Sequence, residues 1–168
     1  IEGECGSPAG GAPPSLIAGR MPDTGLPVWL LDSPELYRRP GSPYADEHGR
    51  DWPDNARRFA ALCDAAVRIA CGRTGIDWRP DVVHCHDWHT ALAPIYLRTY
   101  HRGQPFADGI RTVLTVHNAG FQGHYPASGM TEIGLPWELY TWHYLEWHDK
   151  LNLLKGGLKF ADAVTTVS

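Results

Sequence analysis

The chain has 168 residues, 43% of them apolar and 20% charged, with a net charge of −4 when histidine is neutral. That is the make-up of one ordinary globular domain with room for a core, and it excludes both a basic nucleic-acid surface and an apolar run long enough to span a bilayer. The cysteines Cys5, Cys63, Cys71 and Cys85 form neither a CxxC pair nor a disulfide framework, so reduced thiols in a cytoplasmic protein are expected.

Residues 1–24 read as an irregular, Gly/Pro-rich lead-in. Its first part, IEGECGSPAGGAPP, shows no charged-then-apolar leader, so no secretory signal is expected. It begins with Ile1 rather than Met, which points to a missing piece. SLIAGR (15–20) and LPVWLLD (26–32) predict two short strands joined by the turn MPDTG. Residues 33–55 are rich in Pro, Gly and Asp and form a long loop, of a length that compact domains often keep for function. Asp54 is a candidate N-cap for a helix over 54–71. There Phe59, Leu62, Cys63, Ala66, Ile69 and Ala70 recur at helical spacing, with Arg57, Arg58, Asp64 and Arg68 on other faces. DVVHCH (81–86) predicts a strand. A helix over 88–101 follows, and Pro94 pushes its start later because proline belongs in a first turn. The β-branched run 110–118 predicts a second strand. Helices are expected over 135–147 and 150–161, the latter weakened by Gly156 and Gly157, and a last strand over 162–168. Strand, helix, strand, helices, strand implies right-handed crossovers and an α/β fold with a parallel sheet. Ligands then sit beyond the carboxyl ends of the strands. Asp87, Trp88 and His89 follow one strand, His117 and Asn118 end the next, and Ser168 ends the last.

The densest polar cluster is VVHCHDWH (82–89). HxH at a strand end places two imidazoles on one face, and a further His or Asp would complete a metal site. The order HxHDxH differs from the metallo-β-lactamase HxHxDH by one place in the aspartate, which turns the carboxylate elsewhere. His101 and His117 add no metal motif, so His84 is expected to be a buried strand histidine satisfied by hydrogen bonds. A paired-carboxylate site finds Asp87, but no spacing selects a second member among Asp46, Glu47, Asp51, Asp54, Glu132 and Glu138. Asp32 and Asp81 read as strand-edge residues. In TVHNAGFQG, His117 either caps a turn or faces a ligand, and Asn118 can be a plain turn residue. Seven Trp and seven Tyr suit sugar stacking, but their number alone favours core roles.

Five stretches, LYRRPGSPYADEHGRDWPDNARRFA, DVVHCHDWHTALAPIYL, TVLTVHNAGFQGHYP, IGLPW and LLKGGLKFADAVTTVS, together resemble in order and spacing the N-terminal domain of bacterial glycogen synthases and plant starch synthases. The resemblance covers about residues 25–168. It implies part of a GT-B fold, a Rossmann-like parallel sheet with helices on both faces. It implies a retaining glucosyltransferase that moves glucose from ADP-glucose to the non-reducing end of an α-1,4-glucan. No metal or organic cofactor is expected, and no nucleic-acid or membrane partner. By the same resemblance His117 contacts the transferred glucose. Asp87 and Trp88 line the sugar side of the cleft, Tyr44 stands beside it, and Asn118 and Gln122 are its neighbours. The family's Lys-Thr-Gly-Gly-Leu loop and second Rossmann domain are not in this sequence. A fragment, inactive alone, is therefore expected. A metal-dependent hydrolase built on HCHDWH and a non-catalytic glucan-binding module are the competing readings.

Overall fold

The computed structural model describes residues 14–167; Cys5, Ser168 and most of the lead-in's first part lie outside the described residues. Strands β1 (Ser15–Arg20) and β2 (Pro27–Asp32) form the expected hairpin, antiparallel with Ser15 opposite Asp32 and Arg20 opposite Pro27. Leu16, with Trp29 and Leu31, packs on Ala65 and Ile69. The long segment after β2 opens with a short helix, α1 (Pro34–Tyr37), and carries one isolated bridge, Ala45 to Asp51.

Helix α2 (Asn55–Ala70) buries two stripes. Ala56, Ala60, Cys63, Val67 and Ala70 face the main core, while Ala65 and Ile69 face the hairpin. Three expectations change here. Leu62 and Ala66 are exposed, because the buried arc is set by packing on two sides and not by the widest apolar spacing. Asp54 precedes the helix but makes no side-chain cap; its carboxylate is held instead by the Arg39 guanidinium at 2.6 Å. Arg58 is buried, and its guanidinium donates to the carbonyls of Leu36 (2.8 Å) and Pro43 (3.0 Å) and to Asn55 Oδ1 (2.7 Å). One buried cation, held by three hydrogen bonds, thus anchors the long segment to α2.

Strand β3 (Val82–His86) is followed by a 3₁₀ turn (Trp88–Thr90) and helix α3 (Leu92–Tyr100), with Pro94 in the first turn as expected. Then come β4 (Arg111–Val116), β5 (His124–Pro126) and the single turn α4 (Gly129–Glu132). A 3₁₀ turn (Trp137–Leu139), β6 (Glu146–Trp147), β7 (Lys150–Asn152), α5 (Leu153–Phe160) and β8 (Ala163–Thr166) complete the order. The parallel sheet runs β3-β4-β8, and β5-β7-β6 form a small antiparallel sheet.

The helix expected over 135–147 does not form. Its Trp137, Trp142 and Trp147 are exposed while Leu135 and Leu145 are buried, so the segment wraps the core as an irregular strap. It ends in a two-residue hairpin whose central residues, His148 and Asp149, both have positive φ, 49° and 64°, as a type I′ turn requires. The following helix starts later than expected, at Leu153, where Asn152 Oδ1 accepts the Lys155 N–H at 2.9 Å as a true N-cap. Among the described residues the helices gather on the face of the parallel sheet that carries Cys85 and Leu114. The opposite face, with Val82, His84 and His86, is exposed. His84 is therefore not buried as expected, although its Nε2 is satisfied by Thr115 Oγ1 at 2.7 Å.

Candidate active site

The carboxyl ends of β3 and β4 lie side by side, and Asp87 joins them. Its N–H extends the ladder by donating to the Thr115 carbonyl at 2.9 Å. The chain then turns through φ 56°, ψ −172° at Asp87, a region other residues leave to glycine. The turn points the carboxylate across to β4, where Oδ1 accepts the His117 N–H at 2.7 Å and, more weakly, the Asn118 N–H at 3.4 Å. Oδ2 takes no hydrogen bond from any described residue, so one carboxylate oxygen holds the loop and the other is available. Asn118 Oδ1 accepts the Gly120 N–H at 2.9 Å, an Asx turn. Asn118 is thus a turn residue and a wall residue at once.

Immediately after Asp87, Thr90 Oγ1 receives the His86 N–H at 2.6 Å and donates to the His86 carbonyl at 2.8 Å. This locks the 3₁₀ turn that projects Trp88 and His89. The Trp88 ring lies so close to Gly123 that a Cβ there would sit 2.6 Å from Trp88 Cε3. Gly123 also has φ 66°, so glycine is needed twice over. The His89 ring meets Trp88 at 4.1 Å, Tyr44 at 4.9 Å and Phe59 at 4.9 Å between centroids. Burial lowers the His89 pKa, opposed by the Asp87 charge, and so favours the neutral ring.

These residues enclose a hollow of about 450 Å³ whose wall includes Tyr44, Asp87, Trp88, His89, Asn118 and Tyr125. Four of the six residues singled out in the sequence meet there. His117 stands beside the hollow and off its wall, with Nε2 at 3.0 Å from His86 Nδ1. Gln122 lies further off. Its carbonyl oxygen accepts from Asn152 at 2.6 Å, its amide donates to the Ala119 carbonyl at 3.0 Å, and it borders a second hollow of about 630 Å³ beside Lys155 and Lys159. Tyr125 was not singled out, and His89 was placed at the strand end without a role. His89 was visible as the last residue of the HDWH cluster, and Gly123 marked the close approach that brings the Tyr125 segment to Trp88. His84 and His86 stack on each other at 4.3 Å and bond Thr115 and His117. Among the described residues no three His, Cys, Asp or Glu are grouped to hold a metal ion.

Flat aromatic faces beside one available carboxylate oxygen and an amide suit a ring that is apolar on its face and hydroxylated at its rim. A family profile described as starch synthase catalytic domain matches residues 14–168. The chain belongs to the starch synthase catalytic-domain family. Glycogen synthase of Burkholderia thailandensis is 46% identical over 168 residues, which is all of this chain and 31% of that protein. Glycogen synthase of Paramagnetospirillum magneticum is 44% identical over 167 residues, 99% of this chain and 33% of the relative. The solved catalytic domain of starch synthase IV from Arabidopsis thaliana, bound to ADP and acarbose, superposes with a TM-score of 0.75 at 29% identity, over 100% of this chain and 32% of that one. This member of the starch synthase family therefore spans about a third of the length of the curated relatives it matches. The parallel sheet and the family agree with the reading of the five motifs.

Proposed function

We propose that the protein carrying this chain transfers glucose from ADP-glucose to the non-reducing end of an α-1,4-glucan with retention, and that these residues form the sugar wall of its cleft. The observation that carries the reading is the convergence of Asp87, Trp88, Tyr44 and Asn118 on one hollow, with His117 tied to Asp87 at its rim. Relatives named glycogen synthase and a neighbour holding ADP and acarbose support it. In the transfer the C1–O bond to ADP breaks, a C1–O bond to the acceptor 4-hydroxyl forms, and the hydroxyl proton leaves with ADP. The Trp88 and Tyr44 faces stack pyranose rings. Asp87 Oδ2 takes a sugar hydroxyl and places negative charge near the oxocarbenium-like carbon. His117 binds a hydroxyl of the transferred glucose and holds it for departure. Among the described residues no Lys or Arg lines the hollow, so the donor diphosphate finds its cations outside this wall. We place the protein in the cytoplasm, without a metal or organic cofactor in the reaction.

The test is His117→Ala in the full-length protein, assayed with ADP-glucose and, separately, UDP-glucose on glycogen. Loss of a positioning contact lowers turnover on the order of a hundredfold or more, whereas loss of a turn cap would cost only about 1 kcal/mol of stability. The expected result is a normal melt with turnover nearly gone. A folded variant with near-normal turnover removes His117 from the site, and a wild type that transfers from neither donor overturns the function.

A further inference from the structure

We infer that His86 is a positioning residue for this transfer: its hydrogen bond to His117 fixes the tautomer and ring orientation that His117 presents to the sugar. The inference rests on the proposed glucosyl transfer. His86 Nδ1 and His117 Nε2 are 3.0 Å apart, so one ring donates and the other accepts. A histidine side chain in water prefers its proton on Nε2. Only one arrangement lets both rings keep that preference: His117 donates Nε2–H to His86 Nδ1, and His86 turns its own Nε2–H to solvent. His117 Nδ1 is then a lone pair, ready to accept from a glucose hydroxyl. Without that acceptor the His117 ring is free to turn and to hold its proton on either nitrogen, and with the proton on Nδ1 it confronts the same hydroxyl as a donor.

The surroundings fix His86 for this role. Its backbone is clasped on both sides by the Thr90 hydroxyl, and its ring rests on His84 at 4.3 Å. The titratable groups facing it are His84 on the same strand, His117 at the end of β4 and Asp87 next in the chain. Burial, then the His84 and His117 rings, lower its pKa, and Asp87 opposes them. The ring is thereby kept neutral near pH 7, the state that makes His117 an acceptor. His86 is not on the wall of the hollow, so its influence on the sugar runs through His117.

Two variants of the full-length protein test this. His86→Phe keeps a ring on His84 and removes the acceptor. It is expected to lower kcat about tenfold or more, the usual scale for a supporting hydrogen bond behind a functional histidine, with KM and the thermal melt little changed. His86→Asn restores an acceptor where Nδ1 stood and does not titrate. It is expected to recover most of the rate. A Phe variant with wild-type kcat, or Phe and Asn variants equally impaired, would overturn the inference. A wild type without transfer overturns the underlying function instead. In that case ¹⁵N histidine spectra of the same protein still decide the pair: neutral His117 must hold its proton on Nε2 and neutral His86 must accept it at Nδ1, and a His117 protonated on Nδ1 overturns the inference.

Discussion

Asp87 pairs an unfavourable backbone with a needed side chain. Its φ of 56° and ψ of −172° cost a non-glycine residue about 1–3 kcal/mol, and its carboxylate links β3 to the His117 N–H. Replacing it separates the two. Asp87→Ala loses the carboxylate and keeps the strain. Asp87→Gly loses the carboxylate and releases the strain, against about 0.5–1 kcal/mol of added unfolded-state entropy. The glycine variant is therefore expected to be more stable than the alanine variant by about 1 kcal/mol, while both transfer poorly. Urea midpoints for the two variants check this, and coincident midpoints would show that the conformation carries no strain. The HDWH cluster made Asp87 visible in the sequence. Its backbone angle was not, because nothing in the residue order requires a carboxylate to occupy a glycine-like conformation. For the same reason the sequence left open whether Asn118 caps a turn or lines the site, and the fold makes it do both.

At the scale of elements, the strands of the hairpin and the parallel sheet were legible to within about a residue at most ends, whereas β5, β6 and β7 were not foreseen. Short β-branched runs bounded by turn residues have few alternatives. The stretch 135–147 misled because its apolar residues recur at helical intervals although the exposed ones are tryptophans. Pro136 and the His148–Asp149 pair were the turn signals against a helix. The glycine pair in α5 looked like a weakness, and the packing gives its reason. A Cβ on Gly157 would lie 2.6 Å from the Ala91 Cβ and 3.0 Å from the Ala91 backbone, and one on Gly156 would lie 2.8 Å from Ile95 Cδ1. The pair lets α5 press against the turn that carries Trp88. Gly157→Ala gains about 1 kcal/mol of helix propensity, but overpacking against immovable backbone costs about 1–3 kcal/mol. A net loss of about 1 kcal/mol is expected, read as a lower denaturant midpoint with an unchanged slope. A midpoint at or above the wild type would mean that α5 and Ala91 are further apart than they stand here.

For the whole molecule, the proposed transfer separates the sugar wall from the donor's cations. Lys155, which borders the second hollow with Lys159, is bound to the Trp142 and Glu146 carbonyls, and among the described residues no Lys or Arg lines the first hollow. The 168-residue chain alone is therefore expected to bind maltooligosaccharide weakly and to turn over no ADP-glucose. Titration of the isolated chain with each, followed by tryptophan fluorescence and calorimetry, measures this; tight ADP-glucose binding or any turnover would place the donor site within these residues. The strand order β3-β4-β8 also sets a timetable. Thr115 pairs with His86, and also with Thr165, which lies 50 residues further along the chain. A ribosome working at about 5–20 residues per second leaves the outer edge of β4 without its second neighbour for on the order of 3–10 s. The run Arg111–Val116, apolar and β-branched, waits through that interval as an open edge able to pair with any other strand. A segment exposed to mispairing during synthesis is thus the one that leads into His117.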